Sequence, residues 1–172
     1  ISYASVVPIE VNTLLNTLYF MSIAGLGYQV MNYDAYYVYR DKMKCRFVQV
    51  NQILTGIYVV ILIVNIFAGF FFSFTSDGGY VKGPAYMALY IAPSYFVTSS
   101  GVILIKNYRK FRIWQRISIF LFMVFQYIGM MLQACFFPDT LLSLFMSALG
   151  LMMMLFTMET PDYQKLVITI DE

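Results

Sequence analysis

From Ile57 to Phe74, eighteen consecutive residues carry no charge and a single side-chain amide, that of Asn65. About 20 mainly apolar residues in a helix cross the roughly 30 Å hydrocarbon core of a bilayer. Five stretches of this chain meet that length: residues 12–38, 50–74, 84–105, 113–136 and 140–158. They predict an all-α fold, a polytopic transmembrane bundle of about five helices. Residues 1–158 form the bundle and residues 159–172 leave it. Composition points the same way. Hydrophobic residues make up 60% of the 172 and charged residues 12%, against about 25% charged in an ordinary soluble domain. Eleven basic and nine acidic side chains are too few to solvate the surface of a soluble fold this size.

The basic residues are not scattered. Arg40, Lys42, Lys44 and Arg46 separate the first two stretches, and Lys106, Arg109, Lys110, Arg112 and Arg116 separate the third from the fourth. The segment Thr75–Gly83 holds only Lys82, and Phe137–Asp139 holds none. Nine of eleven cations therefore lie in alternate connections, the pattern of cytoplasmic loops. By parity the chain starts outside and ends in the cytoplasm. The opening at Ile1, without Met, predicts that the chain is part of a longer protein.

Turn chemistry fits these boundaries. Asp77-Gly78-Gly79 signals a turn, Gly83-Pro84 opens the third helix, and Pro138-Asp139-Thr140 offers a tight turn with Asp139 or Thr140 as a cap for the fifth. Pro93 predicts a kink within the third helix. Pro161 follows the fifth, and Tyr163, Leu166 and Ile170 would form an apolar stripe on a helix starting at Asp162, although the run Val167-Ile168-Thr169-Ile170 also fits a strand.

Several chemistries are excluded or unsupported. With no His, imidazole metal sites and His-based catalysis are absent. Cys45 and Cys135 are far apart and, on this topology, on opposite membrane faces. No acid–base pair, phosphate-cradling loop or metal box appears, so the segment itself predicts no enzyme, cofactor or metal, and nothing suggests nucleic-acid binding. The Met152-Met153-Met154 run reads as soft packing. Asn65, Gln126 and Gln133, with Asn12, Asn16 and Gln29, should face the bundle interior, because an amide facing lipid loses its hydrogen bonds. They either line a ligand pocket opening outward or serve as interhelical glue, the commoner role. Tyr33, Tyr36, Tyr37 and Tyr39 form an aromatic belt at the inner end, and Tyr80, Tyr86 and Tyr90 one at the outer end. Asp34 could be a counter-ion or proton site, but it is six positions from Arg40, near enough to the interface to be solvated. Apart from it and Arg116, at the start of the fourth stretch, no span holds a charge, which speaks against an ion-coupled transporter.

Two short motifs resemble a known family. Phe72 to Tyr90, with Phe-Phe before a turn and Tyr80-Val81-Lys82-Gly83-Pro84 after it, is similar to an outer loop of multi-spanning membrane sensors in gut-type Firmicutes. Met158-Glu159-Thr160-Pro161-Asp162 is similar to the Glu-Asn-Pro-Asp found where those sensors enter their cytoplasmic part, although Thr160 replaces the Asn. The resemblance implies a bacterial inner-membrane input module of a signalling protein, most like a sensor histidine kinase in a two-component system. The alternatives are the input of a diguanylate cyclase, or a small transporter or channel fragment. It further implies a homodimer, an unknown small-molecule stimulus and a covalently linked output domain. Candidate ligand residues are then Asn65, Tyr80, Gln126 and Gln133, with the signal leaving through Thr160 and Pro161.

Overall fold

A computed structural model describes residues 8–39, 46–76, 78–137 and 140–170, with side chains up to Phe156. Five α-helices follow one another: α1 (Ile9–Tyr39), α2 (Arg46–Ala68), α3 (Ile91–Lys106), α4 (Ile113–Cys135) and α5 (Leu142–Ile170). A two-stranded antiparallel hairpin, β1 (Phe72–Phe74) with β2 (Tyr80–Lys82), interrupts the helices after α2. Short 3-10 turns at Tyr86–Tyr90 and Tyr108–Lys110 flank α3.

Among the described residues three helical segments are long and apolar enough to cross a membrane: α2, the Tyr86–Lys106 segment and α4. α1 has the length, 31 residues, but not the hydropathy, and Leu142–Phe156 is apolar but shorter. The core is mainly apolar, with Phe20, Ile23, Met31, Leu62, Phe96 and Phe122 fully buried, but many polar groups are buried with it while large apolar side chains face outward. In α2 the buried stripe contains Asn51, Tyr58 and Asn65, while Ile53, Ile57, Val60, Val64 and Phe67 are exposed. Among the described residues twelve polar or charged ones are buried, including Thr17, Asn32, Asp34, Ser100, Ser118 and Ser147. In water, polar groups line the outside and apolar ones the core; in lipid the apolar shell faces outward and polar groups must pair with one another. α2 is also rich in Val and Ile, which lose rotamer freedom in a helix. A helix nonetheless satisfies every backbone group within one segment, which lipid demands.

Several boundaries differ from those the sequence predicts. The second apolar stretch does not run as one helix to Phe74: α2 stops at Ala68, and Gly69 adopts a positive φ of 62°. The chain then turns back into β1. Pro93 kinks nothing. The segment opens as a 3-10 turn and converts to α-helix at Ile91, so Pro93 is in the first α-helical turn, where missing amides cost least. α5 spans 29 residues, and its backbone helix passes through Pro161 to Ile170. No fresh helix starts at Asp162. Thr140 does not cap α5 from its side chain; its Oγ1 donates to Phe137 O at 2.8 Å, closing the preceding turn. Arg40, Lys42, Lys44, Cys45, Asp77, Pro138 and Asp139 lie outside the described residues.

The helices pack as a group of three linked to a pair. α3 covers one face of α1, and α2 leans against α1. α4 and α5 form a tight antiparallel hairpin. Along α4 the buried positions Ser118, Phe122, Gln126, Gly129 and Gln133 recur every three or four residues. They meet Ser143, Ser147, Gly150 and Met154 of α5 at the same spacing. Small residues let two helix backbones approach closely. A Cβ on Gly129 would lie 2.8 Å from Met146 Cβ and 3.1 Å from Ser143 Cα, and one on Gly150 would lie 3.1 Å from Phe122 Cα.

Candidate functional site

Two polar systems are buried in the bundle, one toward each end. The first joins the hairpin, α1, α4 and α5. Gln133 Oε1 accepts from the Ser143 amide at 3.0 Å, from Ser143 Oγ at 2.5 Å, and from the hydroxyl of Tyr19 on α1. Two residues of α5 thus carry the seam: Ser143 also donates to Gly129 O at 3.2 Å, and Ser147 Oγ bonds Gln126 Oε1. Tyr19 packs edge-on against Phe20, with ring centroids 5.2 Å apart. Phe20 stacks on Phe72 of β1 at 5.8 Å, and Phe72 stacks on Tyr80 of β2 at 6.1 Å. A continuous line of packed groups therefore connects the hairpin to α5.

The hairpin is fastened from three sides. Asn65, in the last turns of α2, accepts from Phe71 N at 2.7 Å and donates to Phe72 O at 3.3 Å. Its amide is spent on shaping the chain reversal. Lys82 Nζ donates to Ala134 O at 3.1 Å, capping a carbonyl at the end of α4, where cations suit the helix dipole. The same ammonium lies 4.9 Å from the centroid of the Tyr86 ring, a cation–π distance. Gly83 is held against Phe70, where any Cβ would lie 2.2 Å from the Phe70 carbonyl oxygen. Gly83 and Pro84 therefore shape the hairpin's exit.

The second system lies toward the basic loops. Asp34 is fully buried on α1 and its carboxylate accepts from Ser100 Oγ of α3. Asp34 Oδ1 has no partner among the described residues, and neither does Asn51 Oδ1 of α2, also fully buried. The two residues belong to the two helices that flank the 40–45 connection. The sequence reading of Asp34 as interfacial is corrected here. Counting residues to Arg40 measures depth along the helix, but the azimuth decides exposure. Asp34 shares the face of Met31, Ala35 and Val38, all buried.

At the same end Lys110 Nζ donates to Val38 O at 3.3 Å, closing the end of α1 as Lys82 closes α4. Arg116 donates to Phe111 O at 2.8 Å, and its guanidinium covers the Tyr108 ring at 3.5 Å.

The predicted site residues thus separate. Gln133 is joined to Tyr80 through Tyr19, Phe20 and Phe72; Gln126 is a further seam residue on α4, and Asn65 supports the hairpin from beneath. No open cavity unites the four among the described pockets. Gln29, expected inside, is exposed, and with Asn32, Tyr33 and Tyr36 it lines a shallow hollow. The outer tyrosines do not form a belt: Tyr86 and Tyr90 are buried and share a hydrogen bond of 2.9 Å. Of the inner tyrosines, Tyr33, Tyr36 and Tyr39 are exposed, as a belt requires, whereas Tyr37 is half-buried and stacks on Phe111 with ring centroids 5.1 Å apart. Cys135 is exposed at the end of α4. The side chains of Thr160 and Pro161 lie outside the described residues. Tyr19, Asn51, Ser100, Ser143 and Ser147 were not singled out from the sequence. The pair Ser143 and Ser147, four apart and opposite Gln126 and Gln133 across a short turn, carried a usable signal.

These features define a helical protein with three segments able to span a membrane and a polar interior. Comparison with family models, curated proteins and solved structures gave no match.

Proposed function

We propose that the chain is the membrane-embedded input module of a bacterial signalling protein. It crosses the inner membrane five times, starts outside and ends in the cytoplasm. The alternation of basic and nearly charge-free connections supports that topology. One observation carries the functional reading: Gln133 takes hydrogen bonds from α1 and α5 at once, and α1 is packed through Phe20 onto the hairpin. A stimulus at the outer hairpin that favours one arrangement of Tyr19 would bias the register of α5, and α5 continues as a helix to Ile170. Bias of a few kcal/mol between two arrangements suffices to switch populations. The output we favour is a histidine kinase, working as a homodimer; a cyclase output would use the same input.

The reading is tested with residues 1–172 fused in helical frame to the cytoplasmic part of a histidine kinase. Insertion of one, two, three and four alanines after Glu172 rotates the output about 100° per residue. Autophosphorylation should oscillate with the insert and return near its starting level at four. Output indifferent to the insert would sink the proposal.

A transport fragment is the second reading, favoured by the burial of Asp34 with an unpartnered oxygen. Buried intramembrane carboxylates mark ion and proton paths. On this reading proteoliposomes carrying the chain show a proton flux, followed with an enclosed pH dye, that Asp34→Asn abolishes at least tenfold. Equal leak with and without the substitution removes this reading.

A further inference from the structure

α2 is bonded to the third helical segment from its middle. Tyr58 OH donates to Leu89 O at 2.9 Å, and Asn65 holds the hairpin. Toward the start of α2 a groove of about 420 Å³ is walled by Tyr39 of α1, Phe47 of α2 and Tyr95, Ser99, Val102 and Lys106 of α3. The floor is the flank of α3 from Tyr95 to Lys106, twelve residues spanning eleven steps, or about 16 Å of helix. That length matches one leaflet of the bilayer core, about half of 30 Å.

The groove is chemically graded. Its body is mainly apolar, and Lys106 stands at its mouth where the basic connection starts. The neighbouring cations are partly used by the fold: Lys110 holds Val38 O, and Arg116 holds Phe111 O and covers Tyr108. Lys106 makes no hydrogen bond or ion pair among the described residues. Tyr39, half-exposed on the opposite wall, ends α1 at the same level.

We propose that this groove binds one anionic phospholipid from the leaflet on the side of the basic loops. An acyl chain lies along Tyr95, Ser99 and Val102, and the headgroup phosphate meets Lys106. A basic residue at the edge of an interhelical groove is the arrangement that retains acidic headgroups. An apolar slot one leaflet deep fits a chain that ends at mid-bilayer. The proposal requires a membrane setting but neither the signalling nor the transport reading.

The test is native mass spectrometry of the whole chain, released from nanodiscs of equal phosphatidylglycerol and phosphatidylcholine. The wild type should retain phosphatidylglycerol over phosphatidylcholine by about fivefold, the preference that one headgroup cation confers. Lys106→Gln should bring the ratio near one. Val102→Trp fills the slot from a position already 43% exposed, and should lose both lipids. Ile105→Trp, 76% exposed and outside the slot, should behave as wild type; circular dichroism checks that all variants keep their helicity. Wild-type ratios in both Lys106→Gln and Val102→Trp overturn the proposal. So does displacement of the retained species by excess inorganic phosphate, which would mean that a free anion binds there. A dimer lost in Val102→Trp with lipid ratios unchanged also overturns it, since a second copy would then fill the groove.

Discussion

Gly83→Ala is expected to undock the hairpin and to cost about 3 kcal/mol, at the top of the range for overpacking. The added methyl would lie 2.2 Å from Phe70 O, 2.6 Å from Phe70 C and 2.9 Å from Phe71 C. All three are backbone atoms, so no side-chain rotation relieves the clash. Moving the strand would also break the hydrogen bond from Gly83 N to Phe71 O, 2.8 Å long. It would pull Lys82 away from Ala134 O. Denaturation in sodium dodecyl sulfate followed by circular dichroism reads the stability, and tryptic cleavage after Lys82 reads the undocking. Cleavage should rise at least tenfold, because about 1.4 kcal/mol of local opening already gives that factor. Gly56→Ala and Gly25→Ala are the contrast. A Cβ there meets nothing within 4 Å, and alanine gains up to about 1 kcal/mol of helix propensity over glycine. If Gly83→Ala matched those two in stability and protease resistance, the docking described here would be wrong.

Gln133→Leu is expected to cost about 2 kcal/mol. The substitution keeps the bulk and removes an acceptor used by the Tyr19 hydroxyl, the Ser143 hydroxyl and the Ser143 amide. In water each stranded buried donor costs about 1–3 kcal/mol. In membranes interhelical hydrogen bonds average nearer 0.6 kcal/mol, because the unfolded helices find other partners. Three donors at the membrane value give the smaller figure. Tyr19→Phe alone should cost under about 1 kcal/mol, and the double variant should cost less than the sum, as expected for directly bonded residues. Strict additivity would show that α1 and α4 are not joined through this contact. The same variant tests coupling in the kinase fusion: with Gln133→Leu, output should no longer follow changes made in the hairpin.

The two substitutions act on features of different legibility. Gly83-Pro84 stands out in the sequence as a turn signal, and Gly78, with a φ of +79°, adopts the conformation its Asp-Gly-Gly setting predicts. The close approach of Gly83 to Phe70 is not legible, because it depends on where the hairpin docks. Gln133 and Gln126 stand out as amides in apolar surroundings, so their burial follows from the sequence. Their partners do not, since serine is unremarkable in a membrane helix until its azimuth is known. Asn65 illustrates the same limit. Its burial was expected, but its role is to hold the chain reversal after Ala68.

Asp34 shows most clearly where a linear reading stops. Its depth can be counted from Arg40, and the count suggests solvation. Only the packing of α3 on α1 turns that face inward and places Ser100 against the carboxylate.

By itself the sequence determined the helical class and the presence of segments apolar enough to cross a membrane, because lipid thickness and backbone hydrogen bonding act on every stretch independently of its neighbours; where each helix ends was not determined by it. It also determined which connections collect cations. The tertiary structure alone decided which polar groups meet, that residues 72–74 and 80–82 pair as strands, and that α5 passes unbroken through Pro161. Those outcomes depend on rotation and docking of one element against another, and no periodicity within a single element encodes them.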